Sequence, residues 1–417
     1  MKQYILSALL WCCGAAACWS AETGLKPGDL VAVVGDSITE QKLYSVFIED
    51  YLLMCQPVRV RVVQFGWGGE TSWGFADRIK NDMLRFKPTV VTTCFGMNDG
   101  QYAPMYPGKA ARYRENQQKI VERCQRAGVR LIVVGSPGCV DTDRFGYMGA
   151  DPNMYNGVLA QERDLARQVA KAAGVAFADV HTPMIDVMRK AKAKYGKSYH
   201  VGGADGIHPD SNGQLVMAYA FLKALGCSGD IGTLTVDLAA DTAEATAGHK
   251  VVSCKQAALE LVSTRYPFCF YGEPSNPAAT RGVVDFLPFN QDLNRLVLLA
   301  RGGKSDRYRV TWGNSAKEFS ADQLANGINL AAEFLDNPFS QPFRSVEAKI
   351  RAKQNFETPL VKGLIHAIPE YVKAAPEEEA AIERAAASGI RRDETLAAAA
   401  TAAVQPVRHK LTITPIE

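Results

Sequence analysis

At 417 residues the chain is too long for one comfortable hydrophobic core, so two domains are expected. Its 47% hydrophobic and 22% charged residues are ordinary globular usage. A net charge of +3, with no dense basic cluster interleaved with aromatics, excludes nucleic acid as the expected partner.

Lys2 precedes an apolar run from Tyr4 to Ala17, and small residues (Ser20, Ala21) follow before polar Glu22-Thr23. That is the layout of a secretory signal over residues 1–21. The run is too short to span a bilayer comfortably, and no later segment is long and apolar enough. A soluble protein exported to the periplasm or beyond the cell is therefore expected. Cys18 after three alanines raises a lipoprotein anchor, which Ala15 disfavours because a bulkier aliphatic is usual three residues before such a cysteine.

Beyond the signal seven cysteines remain: Cys55, Cys94, Cys124, Cys139, Cys227, Cys254 and Cys269. An odd number leaves at least one thiol free or pairing between chains. None has CxxC spacing or a nearby histidine suited to zinc. Cys94, inside an apolar run, reads as a small buried hydrophobe, and a Cys254–Cys269 bridge is open.

Strand-like runs at Leu30–Val34, Val58–Phe65, Thr89–Phe95, Leu131–Val134 and Val175–Val180 alternate with amphipathic stretches around 42–54, 73–86, 109–127 and 157–173. Pro88, Gly128 and Gly174 act as stop signals. The alternation predicts one parallel sheet covered on both faces. A last helix is expected from about Gly213 to Leu225, with Ser211 and Gln214 as a capping box. After Gly226 the texture changes. Short strands are predicted at Thr233–Asp237, Val251–Cys254, Leu259–Val262, Arg295–Leu299 and Arg309–Trp312, then helices near Ala321–Leu335 and Ser345–Asn355. An exposed Ala/Glu/Arg-rich helix over 377–403 follows, and Lys410–Thr414 returns as a strand. The division is thus 22–228 and an accessory mixed β/α domain over 229–417, whose role the sequence leaves open.

Four blocks fall at the carboxyl ends of the predicted strands, the edge where open α/β sheets bind ligands. They are Gly35-Asp36-Ser37, the Gly66-Trp67-Gly68-Gly69 run, Gly96-Met97-Asn98-Asp99, and Asp205-Gly206-Ile207-His208. In isolation Ser37 reads as a helix N-cap and Asp205–Pro209 as a turn. Together they supply what acyl transfer needs. His208 can take the proton of the Ser37 hydroxyl, and Asp205 can orient the imidazole. The amides of Ser37 and Gly69 and the Asn98 side chain can hold an oxyanion. Gly69, lacking a side chain, lets its backbone come close to substrate. The glycines around 66–69 are not a phosphate loop, since no Lys-Ser/Thr follows. Asp36, Trp67, Asp99 and Tyr102 flank these blocks and are candidate substrate contacts. Trp73 and Tyr106 fit a sugar-binding wall or core packing equally well. His181 is read as structural and His200 as a solvated loop residue.

With these blocks in this order, residues 29–226 resemble the SGNH hydrolases, also called GDSL-type esterases and lipases. One departure is Gln64, where many members carry an asparagine. The resemblance implies a flavodoxin-like, doubly wound, five-stranded parallel sheet and a Ser37-His208-Asp205 serine esterase that needs no metal or cofactor. Members handle acetylated sugars, lipids and thioesters. Export, two domains and no conspicuous apolar lid point to a carbohydrate O-acetylesterase. A lysophospholipase- or thioesterase-type lipid hydrolase and a non-catalytic glycan-binding module are the alternatives. Nothing in the sequence indicates an oligomeric state.

Overall fold

Five short runs, the first four rich in β-branched residues, pair in parallel in the order β2-β1-β3-β4-β5: β1 (Leu30–Gly35), β2 (Arg61–Gly66), β3 (Val90–Cys94), β4 (Leu131–Gly135) and β5 (Ala176–Ala178). This is the flavodoxin-like order. The computed structural model describes residues 24–416, so the signal-like segment and the Cys18 alternative lie outside the described residues. The second run begins pairing at Arg61 rather than Val58 because its neighbour β1 starts at Leu30.

Alternate residues of each strand feed two cores. Val31, Val33, Val62, Val90 and Val133 face α2 (Tyr44–Asp50) and α7 (Ser211–Ala224), which follow the short α1 (Ser37–Glu40) and close the domain respectively. Ala32, Val34, Val63, Val91 and Val134 face α3 (Ser72–Asp82), α4 (Pro107–Arg126) and α5 (Pro152–Ala173). Helix α6 (His181–Tyr195) is not among the sequence expectations, yet it buries Met184, Val187, Met188 and Ala191, an i, i+3, i+4, i+7 stripe.

The expected capping box of α7 is corrected. Asp210 holds the N-cap position, and the Ser211 hydroxyl accepts from Tyr271 instead. Gln214 accepts the Tyr44 N–H at 2.8 Å and donates to Gln41 at 2.7 Å, tying α7 to the loop that follows α1.

Beyond Gly226 two further sheets form. The mixed one runs β13-β10-β6-β7, with β6 (Asp230–Asp237), β7 (Thr242–Ala245), β10 (Arg295–Arg301) and β13 (Ile328–Asn329). The antiparallel one runs β12-β11-β14-β9-β8, with β8 (His249–Lys255), β9 (Ala258–Ser263), β11 (Arg307–Trp312), β12 (Ser315–Ser320) and β14 (Val407–Ile416). The returning C-terminal strand is therefore the central one. The helix expected over Ala321–Leu335 is two short ones, α9 (Ala321–Asn326) and α10 (Leu330–Glu333), interrupted by β13; α8 (Phe289–Asp292) precedes β10. Apolar residues of both sheets, such as Leu234, Leu261, Leu298 and Ile413, continue the core on the α2/α7 side of the first sheet.

A buried hydrogen-bond chain sews the second half together. Trp312 Nε1–H donates to His409 Nδ1 (3.1 Å), and His409 Nε2–H to Ser263 Oγ (2.9 Å). Ser263 Oγ–H then donates to His249 Nδ1 (2.8 Å), and His249 Nε2–H to the Ile231 carbonyl (3.0 Å). An indole donor at one end and a carbonyl acceptor at the other fix both histidine tautomers.

The last helices turn back to the first sheet. α11 (Ser340–Thr358) runs into a π-helical turn (Pro359–Ile365), then α12 (Ile368–Ala374) and α13 (Glu379–Ala403). Most of α13 is exposed as expected, but it buries Ala386, Asp393, Ala397 and Ala400. α11 covers the free edge of β2. Lys353 Nζ donates to the Val62 carbonyl (2.8 Å), and the Gln64 N–H donates to Glu357 (2.8 Å). Lys353, with no exposed side-chain surface, also contacts Glu49 (3.0 Å) and Glu357 (2.5 Å). Burial alone would lower its pKa, but the two carboxylates outweigh that and raise it. The seven cysteines among the described residues are unpaired there, so the Cys254–Cys269 bridge is absent.

Candidate active site

Strand β1 ends at Gly35, and Asp36, not the serine, is the N-cap of α1: its Oδ1 accepts the Ile38 N–H at 2.9 Å. That replaces the reading of Ser37 as a cap. Ser37 is the first helical residue, and with the cap supplied by its neighbour its hydroxyl is free to lie 2.8 Å from His208 Nε2. His208 Nδ1 lies 2.6 Å from Asp205 Oδ2. The other oxygen of Asp205 accepts the N–H groups of Ile207 and His208, each at 2.9 Å. Burial works to raise the Asp205 pKa, but the bonds from His208 and Ile207 win and hold it below the usual carboxylate range. The loop carrying this pair turns at Gly206, whose φ of +83° and contact with Phe145 leave no room for a side chain: a Cβ would come within 2.4 Å of the Phe145 backbone.

The other two blocks converge on the same edge. Asn98 follows β3; its Nδ2 donates to the Glu70 carbonyl (2.9 Å), and its Oδ1 accepts from the Tyr102 hydroxyl (3.0 Å). The amide's orientation is thereby set from both ends, with one N–H left to donate. Gly69 is exposed, and a Cβ there would meet nothing within 4 Å. Its φ of +73° is what calls for glycine, so the expectation that it spares room for substrate is refined to a backbone requirement. Neither the Ser37 nor the Gly69 N–H has an acceptor among the described residues.

Two candidate substrate contacts are corrected. Asp36 and Asp99 are almost fully buried. Asp99 accepts the Ser72 N–H (3.0 Å) and the Ser72 hydroxyl, which fixes the start of α3. Burial above all pushes Asp36 up to about 7 and Asp99 up to about 6. Both carboxylates serve the backbone that carries the site. Tyr102 is half-buried in an aromatic stack with Tyr155 (centroids 5.0 Å apart) and Phe145 (6.3 Å), and Tyr147 meets its edge at 4.6 Å. Trp67 is partly exposed, in contact with Arg78, Lys362 and His366, and lines a cavity of about 460 Å³ beside the Gly69 loop. Trp73 packs under Arg112, 4.1 Å from ring centroid to guanidinium. Tyr106 is exposed over Lys109.

His181 is structural, as read: its Nδ1 donates to the Gly138 carbonyl (2.8 Å), and burial lowers its pKa. His200 lies 3.5 Å from Asp210 and is half-buried rather than solvated. Sequence reasoning missed Glu40, Lys362 and Arg78, which surround the Gly68–Glu70 backbone. Arg78 at least had a signal, lying within an amphipathic stretch whose face turns to the sheet.

A serine, a histidine and an aspartate in hydrogen-bonding series at the carboxyl edge of a 2-1-3-4-5 parallel sheet define the class: an α/β ester hydrolase. Residues 33–216 match the model of the GDSL-like Lipase/Acylhydrolase family. No curated protein sequence matches the chain. Among solved structures it is similar to a gut microbial diltiazem-metabolizing enzyme (BT4096), at 22% identity and TM-score 0.73 over 95% of this chain and 100% of that one. That likeness, at the level of fold, runs through both halves. It is also similar to LAE5, an alpha/beta hydrolase enzyme from the metagenome of Lake Arreo, Spain (25% identity, TM-score 0.40, 49% of this chain and 97% of that one). A further likeness is to Axe2, an acetylxylan esterase from Geobacillus stearothermophilus (22% identity, TM-score 0.40, 48% and 95%).

Proposed function

We propose that the chain is an exported serine esterase that removes small acyl groups, acetyl foremost, from O-acylated carbohydrates. The observation that carries the chemistry is the 2.8 Å and 2.6 Å series from Ser37 through His208 to Asp205. His208 Nε2 takes the hydroxyl proton as Ser37 Oγ attacks the ester carbonyl. Asp205, held ionised, keeps Nδ1 protonated and stabilises the imidazolium. The Ser37 and Gly69 N–H groups and the free N–H of Asn98 receive the oxyanion. His208 then protonates the leaving alcohol, activates water, and the acyl-enzyme is hydrolysed.

The preference for a small acyl group is supported by the stack of Tyr102, Phe145 and Tyr155, which fills the space behind Asn98. A second reading, hydrolysis of longer lipid acyl chains, draws on Tyr147 and Met148, which are 52% and 76% exposed beside that stack. In both readings residues 22–228 carry the chemistry and residues 229–417 support it.

The test compares 4-nitrophenyl acetate with 4-nitrophenyl octanoate, using the parent protein and Ser37→Ala. The expected result is acetate turnover that falls by about 10⁴-fold or more in Ser37→Ala, followed by acetate release from O-acetylated xylan oligosaccharides. A preference for octanoate would select the lipid reading. Equal activity of parent and Ser37→Ala would remove the serine mechanism.

A further inference from the structure

We propose that Lys362 and Glu40 are positioning residues for the oxyanion-binding loop, so that the C-terminal half of the chain sets where the Gly69 N–H points. The inference rests on the serine-esterase reading above and adds to it a control element whose cation, Lys362, lies outside residues 33–216.

The loop from Gly66 to Glu70 has little of its own to hold it. Gly68 and Gly69 are exposed, the bond within the loop is Glu70 N–H to the Trp67 carbonyl (3.1 Å), and Trp67 N–H donates to the Gly35 carbonyl of β1 (3.2 Å). Gly68, the residue before the proposed donor, is held through its N–H by Glu40 Oε2 at 2.5 Å. Glu40 closes α1, the helix that begins with Ser37. Its other oxygen, Oε1, lies 2.6 Å from Lys362 Nζ, which comes from the π-helical turn after α11. One carboxylate thus spans the oxyanion loop and the C-terminal half.

Trp67 is gripped from the same direction. Lys362 Nζ lies 4.7 Å from its ring centroid, and His366 packs edge-on at 4.6 Å. From the opposite half, Arg78 lies 4.8 Å away and also pairs with Glu70 at 2.6 Å. Upstream, the Gln64 side chain accepts the Gly66 N–H (2.9 Å) and donates to Thr358 Oγ1 (2.9 Å). The residue that departs from the family's asparagine therefore links the loop's first residue to α11.

The lysine has an electrostatic task as well as a mechanical one. A lone carboxylate beside the oxyanion donors opposes the negative charge that develops in the transition state. Pairing Glu40 with Lys362 keeps the acceptor that orients Gly68 while cancelling its charge. Loss of Lys362 releases Trp67, lets Glu40 turn away, and leaves that charge uncompensated. Each consequence weakens the transition state more than bound substrate.

The experiment measures kcat and KM on 4-nitrophenyl acetate for full-length Lys362→Met, Lys362→Arg, Glu40→Gln and the Lys362→Met/Glu40→Gln pair. Inhibition by phenylboronic acid, which forms a tetrahedral adduct on a serine oxygen, is measured beside them. Lys362→Met is expected to lower kcat about tenfold with KM within about twofold, and to weaken boronate inhibition in step with kcat. Lys362→Arg keeps the charge and the reach and is expected to restore activity to within about threefold of the parent. The double variant is expected to cost no more than the single ones together, because the partners act through each other. Unchanged kcat in Lys362→Met, or Lys362→Arg as slow as Lys362→Met, overturns the proposal. So does a loss confined to KM. If Lys362→Met fails to fold, Glu40→Gln and Lys362→Arg carry the same test. Ser37→Ala separates the two levels: an active Ser37→Ala protein defeats the esterase reading itself, whereas an inactive one beside a fully active Lys362→Met protein defeats only the positioning role.

Discussion

The two edges of the parallel sheet are managed in different ways. β5, at one edge, is three residues long and pairs only with β4. β2, at the other, is six residues long and would present a full row of unpaired backbone groups. Edge strands are blunted by shortness or by a cover, and this chain uses one device on each side. The cover on β2 is α11, which reaches the strand not with apolar contacts alone but with a buried lysine and a buried glutamate aimed at its backbone. β2 is also the strand whose far end becomes the Gly66–Glu70 loop, which carries the candidate oxyanion donor Gly69. The edge that is merely short carries no candidate catalytic group among the described residues, and the edge that is covered carries one.

If the two halves are joined chiefly by this cover, the largest effect should come from removing its cation. Lys353→Met keeps most of the side-chain volume but leaves Glu49 and Glu357 buried without their countercharge. Breaking one side of a buried ion pair typically costs about 3–5 kcal/mol. Urea unfolding followed by tryptophan fluorescence should show that loss in a single transition shared by both halves. A stability equal to the parent's, or a transition that splits in two, would mean that the halves stand independently.

The second half has its own weak point, in the chain of Trp312, His409, Ser263 and His249. Burial, then the nearby His249, pushes the His409 pKa down to about 4 from its usual 6.5. The unfolded chain therefore takes up a proton near pH 6.5 that the folded chain refuses until about pH 4. Stability from this group is complete above pH 6.5 and falls as the pH drops toward 4, by about 3 kcal/mol in all. Asp36 and Asp99 work with the opposite sign, since their raised pKa values make ionisation costly and acid relieves that cost. The difference between parent and His409→Gln, measured at pH 7.5 and again at pH 5, cancels those shared contributions. The gap should narrow at the lower pH; a gap that stays constant would show that the ring can be charged in place.

How much of this could be read from the sequence follows the same division. Ser37 and Asn98 sit where strands end, and strand ends are visible as apolar runs stopping at glycine or a polar turn, whereas Asp205 and His208 lie in the loop between α6 and α7. The five strands and their alternation with helices were legible for that reason, and the central place of β14 was foreshadowed by the alternation in Lys410–Thr414. What was not legible depends on partners distant in sequence. Nothing near Lys353 indicates a residue 291 positions away whose carbonyl it serves. Lys362 and Glu40 are 322 positions apart and look like ordinary surface charges. Asp36 and Asp99 flank the site residues in sequence and so read as substrate contacts; burial, which a lone carboxylate does not announce, turns them to the backbone instead. The capping box failed similarly, because Gln214 had a better acceptor and donor in Gln41 and Tyr44 than in its own helix start.

The smallest effect belongs to the most conspicuous contact between β2 and the last helix. Arg61 of β2 and Glu394 of α13 form an ion pair at 2.9 Å, and both side chains keep more than a third of their surface in water. Water and salt screen such a pair, and holding two long side chains together costs entropy, so Glu394→Gln should change stability by less than about 0.5 kcal/mol. Two helices of the C-terminal half thus meet β2 beside ion pairs, that of Lys353 with Glu49 and Glu357 at α11 and that of Arg61 with Glu394 at α13, whose removal differs in effect by nearly an order of magnitude. Burial accounts for the difference: the carboxylates left behind by Lys353→Met have no water to turn to, whereas Arg61 does. Repeating both measurements in 1 M sodium chloride sharpens the contrast, since the screening length falls to about 3 Å. The small Glu394→Gln effect should vanish there while the Lys353→Met effect persists. If Glu394→Gln instead cost as much as Lys353→Met, the surface of α13 rather than the cover on β2 would be what joins the two halves.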